Sequence, residues 1–194
     1  MKAPRVTITI AIATIVVALS PALQQTLVLD RHAIAHGQLW RIATGNLVHF
    51  SASHLLWDLL VVTIAGARLE ARGWPVAATT LASAVAIGVA VVRYEPSLGQ
   101  YGGLSGVACT LVVIAAVDSL EASGLTRAAA LVVLALLAAK LWWEWRSGSF
   151  VFVNGSDVVA VPLAHLTGSC VGVAVWLSQR FAVAHRRRAM LNAP

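Results

Sequence analysis

A serine and a histidine, each at the start of an apolar segment, are the residues of this chain whose types and positions best suit chemistry. Ser105 lies in Gln-Tyr-Gly-Gly-Leu-Ser-Gly, and His165 lies 60 residues later in Ala-His-Leu-Thr-Gly. A serine hydroxyl becomes a nucleophile when an imidazole base takes its proton, which is the usual basis of acyl transfer. Their position at the mouths of apolar segments predicts acyl-transfer chemistry inside a bilayer.

The pair is a stronger indication than either residue alone. A serine in a membrane helix usually serves packing, but a histidine there is functional by default, because burying a titratable group is costly. Glycines at small-xxx-small spacing accompany both residues: Gly102 and Gly106 around the serine, and Gly168 and Gly172 after the histidine. Because helices faced with glycine approach closely, we expect the two segments to bring hydroxyl and imidazole within hydrogen-bond distance.

A second polar group, His49, His54 and Asp58, precedes and enters another apolar segment. His54 and Asp58 are four residues apart and therefore share a helix face. Two histidines and a carboxylate are also a common metal-ligand set. His49 would be off that face if the helix already ran through it, so we expect no metal, and nothing in the sequence calls for a cofactor.

The backbone around the serine is itself suited to catalysis. The stretch Tyr101-Gly102-Gly103 is non-helical by composition, and such backbone is tolerated at membrane depth only where protein or a wet cavity surrounds it. A helix beginning at Ser105 leaves N–H groups free near Ser105 and Gly106, with the positive end of the helix dipole behind them. Donors of this kind stabilise an oxyanion.

The composition places these residues in a membrane protein. Apolar residues make up 59% of the 194 positions, charged residues 11%, and the mean hydropathy is +0.81, whereas soluble domains carry about 25% charged residues. The net charge of +6 does not indicate nucleic acid, because Arg186, Arg187 and Arg188 directly follow an apolar helix, as cytoplasmic anchors beside membrane lipids do. We expect an all-α integral membrane protein forming one domain over residues 1–194.

Six apolar stretches predict six membrane spans. They cover residues 6–23, 52–67, 76–92, 104–117, 128–143 and 158–177, and a basic tail follows at 180–194. We interpret the first stretch as a retained span rather than a signal peptide. The fourth stretch is short: its 14 residues rise about 21 Å against a hydrocarbon core of about 30 Å. Ser105 is therefore expected below the outer surface, in a water-filled depression.

Basic residues predict the orientation of these spans. One side has nine, namely Lys2, Arg5, Arg68, Arg72, Arg127, Arg180 and Arg186–Arg188, and the other has five, namely Arg31, Arg41, Arg93, Lys140 and Arg146. The positive-inside rule then makes both termini cytoplasmic and puts Ser105 and His165 on the opposite face. In a bacterial inner membrane that face is periplasmic.

Four motifs lie in order between about residues 37 and 177. They are Gly37-Gln-Leu-Trp-Arg41 with His49 and His54, then Gly66-x3-Glu70-x2-Gly73, Gly-Leu-Ser105-Gly, and Ala-His165-x2-Gly168-x3-Gly172. Together they resemble the motifs of the rhomboid intramembrane serine proteases. The resemblance implies a six-helix bundle with a short central fourth helix. Its compact size, with Lys140-x3-Glu144 and then Gly148 before the last span, is more similar to the rhombosortase subgroup. That likeness implies exported substrates with a C-terminal Gly-Gly sorting tail, made of a Gly-Gly motif, a transmembrane helix and basic residues.

The same resemblance implies a role for each site residue. Ser105 would be the nucleophile and His165 its base, a dyad without a third carboxylate, while the Ser105 N–H and the His54 side chain would hold the oxyanion. Gly103, Gly106, Gly168 and His49 would support this geometry. The family usually has asparagine where this chain has Asp58. Asp58 therefore either donates as a protonated acid or orients His54.

Three further interpretations concern one ion pair and two rival functions. Lys140 and Glu144, at helical spacing, most simply pair with each other. A rhomboid-like protein without activity would bind transmembrane clients, but the chain has both Ser105 and His165. A transporter would need a continuous polar pathway and usually internal symmetry, and neither is visible in the sequence.

Overall fold

The computed structural model describes residues 3–149 and 161–191, which are mostly helical. Within this part of the chain the α-helices are α1 (Arg5–Leu19), α2 (Pro21–Leu27), α3 (Arg31–Ala35), α4 (Arg41–Thr44), α5 (Ala52–Ala71), α6 (Val76–Tyr94), α7 (Ser105–Ser119), α8 (Gly124–Ser147) and α9 (Pro162–Leu191). A 3-10 turn spans Gly45–Leu47. Strands β1 (Leu29–Asp30) and β2 (Gln100–Tyr101) pair antiparallel, with Leu29 opposite Tyr101.

Each of the six apolar stretches contains or overlaps a helix. Not all of these helices are long and apolar enough to be counted as membrane spans. Three helices of the described chain, α5, α6 and α8, are long and apolar enough to cross a membrane. A fourth span is possible if α1 and α2 are taken together, and α7 is a shorter apolar helix. The membrane character is thus confirmed, whereas the count of six spans stays a prediction.

The first predicted stretch, 6–23, is not one continuous helix. It breaks between Ser20 and Pro21, and α1 and α2 meet at 109°. Proline disfavours helical backbone in the residue before it, and Ser20 is indeed extended, at φ −120° and ψ 103°. The Ser20 hydroxyl then accepts the Leu23 N–H at 3.3 Å and caps α2, in which Pro21 is the first residue.

The other helices are close to the predicted bounds, and most are longer. The predicted start of the last stretch, at residue 158, lies outside the described residues; α9 is described from Pro162. The helix of the fourth stretch, α7, has 15 residues, which correspond to about 22 Å. It is therefore short, as predicted.

Helix α7 is the centre of the core. Its residues Val107, Leu111 and Ile114 follow one another at helical spacing and are completely buried, and helices α5, α6, α8 and α9 all pack against it. A short helix buried on all sides presents little surface to lipid. This arrangement fixes the position of Ser105, the first residue of α7.

Helices α7 and α9 touch through their backbones. A Cβ atom built on Gly168 would lie 1.9 Å from the carbonyl oxygen of Gly106, so only glycine fits there without movement. One turn further, the Thr110 hydroxyl donates to the Gly168 carbonyl at 2.8 Å and contacts the Ser83 hydroxyl of α6 at 2.6 Å. The predicted close crossing is therefore present in the structure, and it is closer than the glycine spacing alone required.

Two arginines hold the segment between α1 and α5 against the bundle. The Arg31 guanidinium donates to the carbonyls of Val92 and Glu95, at the end of α6, at 2.7 and 2.8 Å. Arg41 is buried and donates to the carbonyls of Gln25 and Val28 at 2.9 and 2.8 Å. These bonds fix the chain that leads to His49.

Helix α8 is the least embedded of the long helices. Among its residues only Ala130 and Glu144 are buried, and large side chains such as Leu136, Trp142 and Trp145 are more than half exposed. Exposed apolar surface of this extent is the normal state of a helix that faces lipid tails. Glu144 is the exception on this helix, since a buried carboxylate in an apolar span requires a partner.

Candidate active site

The Ser105 hydroxyl lies 2.7 Å from Nε2 of His165. Ser105 is the first residue of α7, and His165 is in the first turn of α9. His165 is only 1% exposed, while Ser105 is partly exposed toward a cavity. This distance lies within the range that proton transfer from a nucleophile to its base requires.

A carboxylate lies on the other side of the same imidazole. Oε2 of Glu144 is 2.7 Å from Nδ1 of His165, and the Glu144 side chain is completely buried. The expectation of a histidine without a third carboxylate is therefore wrong for the geometry of this site. The carboxylate comes from α8, so three helices contribute to one hydrogen-bonded chain of side chains.

Lys140 pairs with Glu144 as the spacing predicted. Its ammonium lies 2.7 and 2.9 Å from the two carboxylate oxygens and 3.2 Å from Nδ1 of His165. The contact between Glu144 and His165 was not predicted from the sequence, because Lys140, four residues before Glu144, already offered a partner for its charge. The indication that would have found it is the position of the carboxylate within an apolar span, where ionisable groups are functional by default.

His49, His54 and Asp58 meet beside the serine. Oδ2 of Asp58 lies 3.0 Å from Nε2 of His49 and 3.3 Å from Nε2 of His54, and all three residues are buried. The separation of His49 from the other two, expected if the helix ran through it, does not occur. Helix α5 begins at Ala52 with Ser51 as its cap, so His49 lies in the preceding loop and folds back over the helix.

This group is the one set of candidate metal ligands in the described part of the chain, and its ligand atoms lie within 4.8 Å of one another. Hydrogen bonds within the protein account for this proximity. Nδ1 of His49 faces the Leu47 carbonyl at 3.3 Å, and its Nε2 contacts the Leu104 N–H at 3.3 Å as well as Asp58. The group thus ties the loop before α5 to the backbone that precedes Ser105.

The absence of a side chain at Gly103 leaves room for the imidazole ring of His54. Its φ of +130° lies in a region that side-chain-bearing residues rarely adopt. A Cβ atom there would lie 2.6 Å from Cε1 of His54. The predicted non-helical backbone before α7 is therefore packed directly against this imidazole.

A cavity of about 680 Å³ joins these groups. Its lining includes His54, Asp58, Ser105, His165, Lys140 and Glu144, together with apolar and tryptophan side chains of α5 and α8. The first N–H groups of α7 at Ser105 and Gly106 have no acceptor within their own helix, and the positive end of the dipole lies there. A nucleophile, a base and donors for a developing anion thus converge on one cavity, as acyl transfer requires.

Comparison with known proteins identifies the family of this chain. None of the curated proteins matches the chain. Residues 36–179 match the Rhomboid domain, which covers most of the chain and includes every residue of the site just described. Members of that family are generally serine proteases that act on transmembrane substrates. The chain belongs to the rhomboid family of membrane proteins.

Proposed function

We propose that this protein is an active intramembrane serine endopeptidase. The observation that carries the proposal is the 2.7 Å contact between the Ser105 hydroxyl and Nε2 of His165, at the wall of a cavity of about 680 Å³. Membership of the rhomboid family supports the reaction class. The fold alone would not support activity, because function depends on the site.

The reaction follows from the positions of these atoms. As the Ser105 oxygen bonds to the substrate carbonyl carbon, Nε2 of His165 takes the hydroxyl proton. The imidazolium then gives that proton to the leaving amine, and the C–N bond breaks to leave an ester on Ser105. Water, losing a proton to Nε2, attacks the ester, which releases the new carboxyl terminus and restores the serine. During both steps the Ser105 N–H and the His54 side chain stabilise the oxyanion.

Asp58 acts through His54 in this proposal. One carboxylate oxygen of Asp58 is close to ring nitrogens of two histidines. An ionised oxygen can accept from both rings, in which case Nε2 of His49 carries hydrogen and its longer 3.3 Å approach to the Leu104 N–H is a contact rather than a hydrogen bond. One hydroxyl hydrogen would serve only one acceptor. Orientation of His54 by an ionised Asp58 is therefore the preferred role. With Nε2 of His54 donating to Asp58, the ring donates to the oxyanion from Nδ1, which requires hydrogen on both ring nitrogens.

The substrates in this proposal are exported proteins with a C-terminal Gly-Gly sorting tail. The support is the sequence likeness to rhombosortases, in particular Lys140-x3-Glu144 followed by Gly148. The enzyme would lie in the inner membrane with both termini cytoplasmic and with the site open to the periplasm. The excess of basic residues on the cytoplasmic side supports this orientation.

A serine-directed fluorophosphonate probe tests the activity. We expect labelling of the wild type in detergent and none in Ser105→Ala. A wild type that stays unlabelled while correctly folded would instead fit a client-binding protein without activity.

Co-expression tests the substrate class. A Gly-Gly-tailed protein should acquire a new C-terminus, identified by mass spectrometry, with the wild type but not with Ser105→Ala. The matched control is the same substrate with Gly-Gly replaced by Leu-Leu. Equal cleavage of both would refute the proposed substrate class and leave the proposed activity intact.

A further inference from the structure

The carboxylate of Glu144 determines which nitrogen of His165 carries hydrogen. Oε2 of Glu144 lies 2.7 Å from Nδ1, and an ionised carboxylate only accepts hydrogen bonds. Nδ1 must therefore donate. In the neutral ring the lone pair is then on Nε2, which faces the Ser105 hydroxyl at 2.7 Å. This is the tautomer that a general base for Ser105 needs.

The 3.2 Å contact between Nζ of Lys140 and the same Nδ1 does not change this assignment. An ammonium has only donors, so a hydrogen bond to Nδ1 would require the opposite tautomer. Lys140 already donates to both oxygens of Glu144 at shorter distances of 2.7 and 2.9 Å. The ammonium is therefore the partner of the carboxylate, and the carboxylate is the partner of the imidazole.

We propose that Glu144 is a positioning residue that completes a Ser105–His165–Glu144 triad, with Lys140 as its counter-ion. This inference rests on the proposed proteolytic function and extends it, because the family resemblance implied a histidine that has no carboxylate behind it. Glu144 holds the imidazole ring in the orientation and tautomer that accept the serine proton. It also stabilises the imidazolium formed while the oxyanion exists.

The ion pair with Lys140 explains how the buried carboxylate of Glu144 is tolerated in an apolar helix. An unpaired buried charge is strongly unfavourable, and removing one partner of a buried pair costs far more than an exposed pair contributes. Glu144 is completely buried, whereas the Lys140 side chain is 23% exposed at the cavity, so the pair is neutral and only its cation reaches water. When His165 takes a proton, the carboxylate is already ionised and in contact.

Other ionisable groups face the same cavity and do not replace Glu144. They are Cys109 on α7 and His54 and Asp58 on α5. Asp58 is engaged by two histidines, and Cys109 is buried within its helix. Among the described residues, Glu144 is the carboxylate that forms an ion pair with His165.

A purely structural alternative is that the pair of charges only attaches α8 to the bundle. Glu144→Gln separates the two roles, because glutamine has nearly the same shape and its amide oxygen can still accept from Nδ1. We expect kcat on a Gly-Gly-tailed substrate to fall by roughly 10²- to 10⁴-fold, the size of effect seen when a triad carboxylate is made neutral. KM should stay within about twofold, because an interaction made only in the transition state is lost.

The matched control is Glu121→Gln, the same substitution at an exposed glutamate that pairs with Arg180. Its kcat should stay within about twofold of the wild type, because exposed pairs contribute little. A kcat of Glu144→Gln within about threefold of the wild type would overturn the triad. A rise in KM with kcat unchanged would also overturn it, and would assign Glu144 to attachment of α8. In both cases the proposed function survives.

A measurement on the wild type covers the case in which Glu144→Gln does not fold. The chain is labelled with ¹³C,¹⁵N-histidine, and the resonances of His165 are identified by their loss in His165→Ala. The chemical shifts of the neutral ring should show the hydrogen on Nδ1. Hydrogen on Nε2 would overturn the positioning role, whether or not the protein cleaves any substrate.

Discussion

Substitution of Gly168 by alanine tests the geometry of the site most directly. The added Cβ would lie 1.9 Å from the Gly106 carbonyl oxygen, where ordinary contact begins at 3.4 Å. The obstacle is backbone, which cannot rotate away as a side chain can. Helices α7 and α9 must then separate by about 1.5 Å at this point. On the glycine spacing alone a single methyl group looks tolerable, but the structure leaves no room for it.

The separation reaches the catalytic atoms because Gly168 is one turn after His165. The contact between the Ser105 hydroxyl and Nε2, now 2.7 Å, would lengthen to about 4 Å, beyond the range of a hydrogen bond. A misplacement of about 1 Å can cost roughly a hundredfold in rate. We therefore expect Gly168→Ala to lose at least about a hundredfold in kcat/KM. Overpacking should also lower stability by roughly 1–3 kcal/mol.

The assay compares a graded series of glycine-to-alanine variants. In Gly172→Ala the new Cβ would lie 2.8 Å from the Thr110 carbonyl, and in Gly99→Ala it would meet nothing within 4 Å. Cleavage and probe labelling should decrease in the order Gly99, Gly172, Gly168, with Gly99→Ala equal to the wild type. Near-wild-type activity of folded Gly168→Ala would refute the crossing and the proposed serine–histidine geometry with it.

Four further substitutions test three separate contacts. Ser105→Ala and His165→Ala should each abolish cleavage. In a single-turnover assay the double variant should be little worse than either single variant, because the two residues act as a unit. Additive losses of rate would assign the two residues to separate steps. Asp58→Asn should lower kcat/KM at every pH if an ionised Asp58 orients His54; retained activity that extends to higher pH would instead indicate a protonated donor. Asp30 accepts hydrogen bonds from the Gln100 side chain and the Ala33 N–H, which lower its pKa below the usual 3.8. Its stabilising contribution is therefore present above that value and lost as the pH falls through the lowered pKa. The melting-temperature difference between the wild type and Asp30→Ala should be largest at neutral pH and shrink below about pH 4; a constant difference would contradict this.

The serine and histidine could be predicted as a pair because the sequences around them are similar. Each follows a short polar or glycine-containing stretch and opens an apolar helix, and glycines at four-residue spacing accompany both. Side-chain type, helix position and close packing therefore point to the same contact. The structure shows that contact directly.

The sequence could not predict contacts that depend on where helices begin and break and on how they are rotated about their axes. His49 joins Asp58 because α5 begins three residues after it, which a periodicity argument misses. Glu144 was assigned to Lys140 because neighbours in one helix are visible in the sequence, whereas a contact between α8 and α9 depends on the rotation of both helices. The break before Pro21 is a local conformational effect, and hydropathy averaged over a whole segment does not detect it.

The shortness and burial of α7 have a consequence for how the protein is made. A segment of about 22 Å that is surrounded by other helices is a poor candidate for stable insertion on its own, since it is shorter than the hydrocarbon core of about 30 Å and presents little apolar surface to lipid. Its backbone contact lies on α9, which follows it by two helices in the described chain, and that helix also carries His165. The nucleophile therefore acquires its base only after α9 has been synthesised, so chains that stop before α9 have no assembled site with which to cut their neighbours.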